Sequence, residues 1–159
     1  MANAVDVARY LIDLAKEDNN KTLTNMQLQK LVYIAHGLHL ARNAGKPLLD
    51  KEINAWKHGP VIPSVYHAFK EYGDNAVDST EGARNDDLTV GNTKAIEESY
   101  KIFGGLSGWT LRDVTHKKGS PWYEIWYNEG KTTYNAVIPN EVIERHYDKI
   151  VTEGKATVL

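Results

Sequence analysis

Cysteine is absent from the chain, which excludes a disulfide framework and a thiolate zinc site and suits a reducing compartment. No stretch approaches the roughly 20 consecutive apolar residues of a membrane-spanning helix. The N-terminal MANAVDVARYLIDLAKED has no basic leader, and Asp6, Arg9 and Asp13 interrupt it, so no secretory signal is expected and cytoplasmic localisation is the default. A charge excess is missing too: 19 basic residues face 21 acidic ones, a formal net charge of -2. Beyond the doublet Lys117–Lys118 there is no basic stripe to track phosphates, which argues against nucleic acid as a direct partner.

The 159 residues are expected to form one domain, 1–159. A chain of this length hides roughly 70% of the surface its unfolded form exposes, so it needs no metal or disulfide to fold. Its compositional peculiarity is four Trp and nine Tyr against two Phe. Large rings with a polar handle suit half-buried positions and interfaces, although ordinary core packing accounts for most such rings.

Hydrophobic periodicity predicts a mainly α fold, a compact bundle of six or seven helices with at most a short β-hairpin. Helix one spans about Ala2 to Lys16, with Val5, Ala8, Leu11, Ile12 and Ala15 inward and Asp6, Arg9, Asp13 and Lys16 outward. Helix two starts at Thr24, whose spacing to Gln27 is that of a capping box, and ends before Gly45 and Pro47. Ile53–Lys57 is a candidate strand, Gly59-Pro60 a turn, and Pro63 the first turn of helix three, closed by Gly73. Gly73–Gly91 reads as a surface loop or crossover, with a weak strand signal at Leu88–Val90. Helix four covers Thr93–Phe103, with Glu97–Lys101 as a surface pair. Ser107 caps a helix reaching Thr115, Ser120-Pro121 opens another, and Asn140 caps the last.

Motifs for chemistry are near-misses. Gly130-Lys131-Thr132 copies the end of a phosphate-binding loop, but Ile125 stands where its first glycine belongs. Gly105-Leu106-Ser107-Gly108 is not a nucleophile elbow, because the second glycine arrives one residue early. His36 and His39 share a helix face at i,i+3, yet no acidic residue accompanies them on that helix. Hydrogen-bonded boundary histidines are the expectation, with no metal and no cofactor. His58 stands between a tryptophan segment and the Gly-Pro turn; a backbone hydrogen bond locking the turn is expected of it. His116 ends a helix, where the dipole favours positive charge. The adjacent pairs Asp86-Asp87 and Glu97-Glu98 do not face one another on a helix, so no catalytic residue is assigned.

Three segments, MQLQKLVYIAHGLHLA, GKPLLDKEINAWKHGPVIPSVYHAFKEYG and LRDVTHKKGSPW, together resemble the Panacea domain family, also described as SocA-like or GepA-like and phage-associated. The residues that carry the resemblance are Leu28–Ala41, then Trp56, His58, Gly59, Pro60, Val61 and Tyr66, then Thr115, His116, Pro121 and Trp122. The resemblance implies an antitoxin that binds a cognate protein toxin encoded beside it, without cofactor, membrane or catalysis. It also implies a role for some members as adaptors to a host protease, and it leaves a homo-oligomer open. Some members carry an extra N-terminal DNA-binding domain; this sequence opens on helix one, so autoregulation by DNA binding is not expected here. Two other readings remain: a phage-encoded protein that targets a host factor, and a metal-dependent or histidine-based hydrolase using His36, His39, His58 or His116.

Overall fold

The computed structural model describes residues 1–78 and 88–153. Its elements are α1 (Ala4–Glu17), α2 (Asn25–Arg42), β1 (Ile53–Trp56), β2 (Gly59–Val61), α3 (Pro63–Ala68), α4 (Val90–Phe103), α5 (Gly108–His116), α6 (Pro121–Ile125), β3 (Val137–Ile138) and α7 (Asn140–Thr152). A 3-10 turn, Lys70–Tyr72, follows α3, and a π turn, Trp126–Gly130, follows α6. The fold is mainly α, as the periodicity predicts. Among the described residues no helix is long and apolar enough to cross a membrane.

Helix α2 is the axis of the molecule. From Leu28 to Leu40 every residue is buried, polar ones included, so the helix is enclosed on all sides rather than lying on a core with one face wet. α1, α4, α5 and α7 pack around it. Gly37 lets α7 pack close on α2: a Cβ there would collide with the ring of Tyr147. Ser99 on α4 donates its hydroxyl to the Leu31 carbonyl at 2.8 Å, satisfying a buried polar group at the α2–α4 contact.

Helix starts follow local side-chain chemistry. Thr24 and Gln27 form the expected capping box, and Ser107 and Ser120 cap α5 and α6. Other ends differ from expectation. Ala2 pairs with Leu49 in an isolated parallel bridge, and Asn3 caps α1 by accepting from the Val5 and Asp6 amides. Asp6 is buried rather than outward, 3.5 Å from Arg9. Leu88–Val90 is not a strand: Thr89 and Asn92 form a second capping box, which starts α4 at Val90. Glu97 accepts a hydrogen bond from the Tyr10 hydroxyl at 2.8 Å. Asn140 does not cap α7; Pro139 precedes it, and the Asn140 amide is bonded to His36.

The small sheet has the order β2-β1-β3, all antiparallel, so a third short strand joins the expected hairpin. Trp56 pairs with Gly59 and Ala55 with Pro60. The turn is therefore Lys57–His58, and Gly59-Pro60 begins the second strand instead of forming the turn. Pro60 is tolerated there because β2 is an edge strand, where a missing N–H costs no ladder bond. In the expected surface loop, Val77 is buried and donates its amide to the Leu23 carbonyl at 2.8 Å. Asp86 and Asp87 lie outside the described residues.

Candidate functional site

The hairpin and the chain leading into α3 sit against the N-terminal half of α2. Three polar residues on that helix, Asn25, Gln29 and Lys30, supply their hydrogen bonds. Gln29 accepts from the Ile62 amide at 3.0 Å and donates to Asn25 at 3.0 Å. Asn25 in turn donates to the Tyr66 carbonyl at 3.2 Å. Lys30 donates to the Pro60 carbonyl at 2.9 Å. An irregular buried segment thus receives from side chains the partners that a wider sheet would have supplied.

Lys30 is the least expected member, since its side chain is 97% buried (3% relative exposure). Burial, reinforced by the charge of Arg112, pushes its pKa down to about 7. Gly59 makes room for it: the backbone there has φ +117, and a Cβ would stand 3.0 Å from the Lys30 ammonium. Only glycine meets both conditions without strain.

Arg112 on α5 lies 3.3 Å from His58, Nη2 to Nδ1. A guanidinium only donates, so His58 Nδ1 is the acceptor and the neutral ring carries its proton on Nε2. The partner of His58 is thus a side chain, not the backbone bond expected from sequence. Burial, then the positive charges of Arg112, Lys57, Lys30 and His116, holds the His58 pKa below its ordinary value. Two nitrogens of this cluster, Arg112 Nε and His116 Nδ1, are buried without a hydrogen-bond partner.

Two tryptophans lock the hairpin from the other side. Trp122 donates its indole N–H to the Trp56 carbonyl at 2.6 Å, and Trp56 donates its own to Asn135 at 2.7 Å. Asn135, at φ 53, also accepts from the Asn54 side chain at 2.7 Å. Trp122 stacks on Trp126 with centroids 5.6 Å apart and lies 5.2 Å from the His116 ring. Trp56 meets Tyr66 edge-on at 5.3 Å.

The residues singled out in the sequence therefore gather around one hairpin. Gly59, Pro60, Val61, Pro121 and Trp122 are buried; Trp56, Tyr66 and His116 are half-buried; His58 is exposed. Gln29, Lys30 and Arg112 belong to the same cluster but carried no assignment from sequence. The available signal was a glutamine and a lysine, Gln29 and Lys30, interrupting the apolar run Leu28–Leu31. Beside Trp56 is a cavity of about 340 Å³ lined by Met26, Gln29, Lys30, His58, Val61 and Tyr66 among others. A second depression of about 550 Å³, on the side of Trp126, Lys131, Tyr134 and Asn135, shares the Trp56 wall.

The His36–His39 pair lies elsewhere and is fully engaged. His36 bonds Asn140 through Nε2 at 2.9 Å and accepts the Leu49 amide at Nδ1, at 3.3 Å. His39 bonds the Lys46 carbonyl through Nδ1 at 2.8 Å and the Asn92 amide through Nε2 at 3.2 Å. With all four ring nitrogens in hydrogen bonds, neither ring offers a lone pair to a metal. Among the described residues no three His, Asp or Glu side chains cluster as ligands.

Comparison with known proteins bears on this same stretch. A family model described as "Antitoxin SocA-like, Panacea domain" matches residues 28–123, from α2 through α6. Antitoxin SocA of Caulobacter vibrioides (strain NA1000 / CB15N) is 34% identical over 130 residues, covering 73% of this chain and 66% of the relative. The chain thus spans slightly less than two thirds of that relative's length. No solved structure matches it.

Proposed function

The chain belongs to the SocA-like antitoxin family with a Panacea domain, and from that membership we propose that it is an antitoxin which neutralises a protein toxin by direct binding. The observation that carries this reading is the family match itself: residues 28–123 hold the hairpin, Gln29 and Lys30 that support it from α2, and both locking tryptophans. The surface supports it. Trp109, Tyr127 and Tyr134 are large aromatic side chains standing exposed, at 64%, 52% and 91%, and such rings concentrate binding energy in protein interfaces. Neutralisation is then steric or conformational: the antitoxin covers the toxin's working surface or holds it in an inactive form. The site of action is the cytoplasm, where the toxin would be made.

The test is growth of cells expressing the neighbouring reading frame alone and together with this chain. Growth should stop in the first case and recover in the second. A neighbour that is harmless alone, or that stays toxic beside this chain, contradicts the reading. Toxin abundance in the rescued cells separates two modes. A steady level means that the toxin is held, whereas a fall that depends on a host protease means that it is handed over.

A further inference from the structure

The groove beside Trp56 combines features that point to what enters it. Met26, Val61, Trp56 and Tyr66 line it with apolar and aromatic surface, and the buried Lys30 lines it as well. Lys57 and His58 stand at the rim, with Arg112 behind His58. The charges bearing on His58 come from Arg112, Lys57, Lys30 and His116, and all are positive. The charge bearing on Lys30 is again Arg112. Among the described residues the Pro60 carbonyl is the hydrogen-bond acceptor on Lys30, so an ammonium with three donors has one neutral partner. Asp74, exposed at the far rim, is the acidic residue lining the groove. A chain of net charge -2 thus places Lys30, Lys57 and His58 along one groove, with Arg112, which pairs with Asp113 at 3.6 Å, behind His58. Such an arrangement opposes folding and is what a site built for an anion requires.

We propose that this groove receives an aspartate or glutamate side chain, flanked by an apolar residue, from the protein that the chain binds, with the carboxylate meeting Lys30, and Lys57 and His58 at the rim. The apolar walls suit a peptide segment, because they cover the neighbouring side chain and exclude water from the ion pair. Gly59 leaves room for the Lys30 ammonium, since a Cβ there would stand 3.0 Å from it. The proposal rests on the reading of the chain as a binding protein and goes further by stating the chemistry of what it binds.

The test uses the full chain and two short peptides, acetyl-Leu-Glu-Leu-amide and acetyl-Leu-Gln-Leu-amide, with inorganic phosphate as a third probe. Chemical shifts of the Trp56 indole N–H and the Gly59 amide are followed during titration. The glutamate peptide should give saturable shifts at concentrations about tenfold below those the glutamine peptide needs, since one carboxylate separates them. Lys57→Glu, an exposed change that leaves the core alone, should remove that preference. Lys30→Met should remove it too while the protein stays folded. Equal responses to the two peptides, a preference that survives Lys57→Glu, or phosphate binding as well as the glutamate peptide would each overturn the proposal. The titration needs no toxin, so a harmless neighbouring gene would remove the neutralisation reading and leave this result standing.

Discussion

The indole N–H of Trp122 donates to the backbone carbonyl of Trp56 at 2.6 Å, tying α6 to the hairpin across 66 residues of chain. The same Trp122 ring is 4% exposed and stacks on Trp126. Trp122→Phe keeps an aromatic ring but removes the donor, leaving the Trp56 carbonyl short of a partner. The expected loss is about 1–3 kcal/mol of stability, read as a lower denaturant midpoint with unchanged slope. No change in midpoint would mean that water or another donor replaces the indole.

Lys30 links stability to pH. Its pKa is about 7 in the folded protein against an ordinary 10.5. Between those values the unfolded chain binds more protons, so stability rises as pH rises through the window and the full cost of the buried charge is felt below about pH 7. Lys30→Met removes that cost and forfeits one hydrogen bond of about 1 kcal/mol. The variant should therefore be more stable than the parent near pH 6, by about 1–3 kcal/mol, and lose the advantage near pH 10. Thermal midpoints at the two pH values decide this. A variant less stable than its parent at both would show that burial does not penalise the Lys30 ammonium in the folded state.

His36 acts at the acid end. Burial pushes its pKa down to about 4, against the opposing bond to Asn140, while the ordinary value is 6.5. Between those values the unfolded state again binds more protons. The stability due to neutral His36 is complete above 6.5 and is lost as pH falls toward 4. The loss for this one group approaches about 3 kcal/mol. His146, half-buried and also lowered to about 4, adds to it in the same direction, less strongly because it is partly solvated. Denaturant midpoints across this range should fall steeply in the parent and less in His36→Gln. Equal slopes would remove His36 from the account.

The features legible in the sequence were those set by neighbours in the chain. The Thr24–Gln27 capping box and the Ser107 and Ser120 caps depend on residues three positions apart and form as expected. The misreadings have two causes: a side chain spent on a distant partner, or a local cap overlooked. Asn140 looks like a cap, but its amide serves His36, 104 residues away. Leu88-Thr89-Val90 has strand-like β-branched residues, yet the Thr89–Asn92 pairing starts a helix. The turn falls at Lys57–His58 because Trp56 pairs with Gly59, and Gly59 stands against Lys30, a contact that no local pattern announces. Gln29 and Lys30 were silent for the same reason, since their partners Ile62 and Pro60 lie 33 and 30 residues on. The motif residues around Trp56 were visible as a set, through resemblance. The cationic groove they border became visible only when α2 and α5 were placed beside them.

The central claim is that this chain acts by binding its toxin directly, and calorimetric titration of the purified chain with the purified product of the neighbouring reading frame tests it most directly. A saturable one-to-one complex is expected in the absence of any other component, weakened by Lys57→Glu. Growth rescue in cells with no measurable complex between the purified proteins would contradict it.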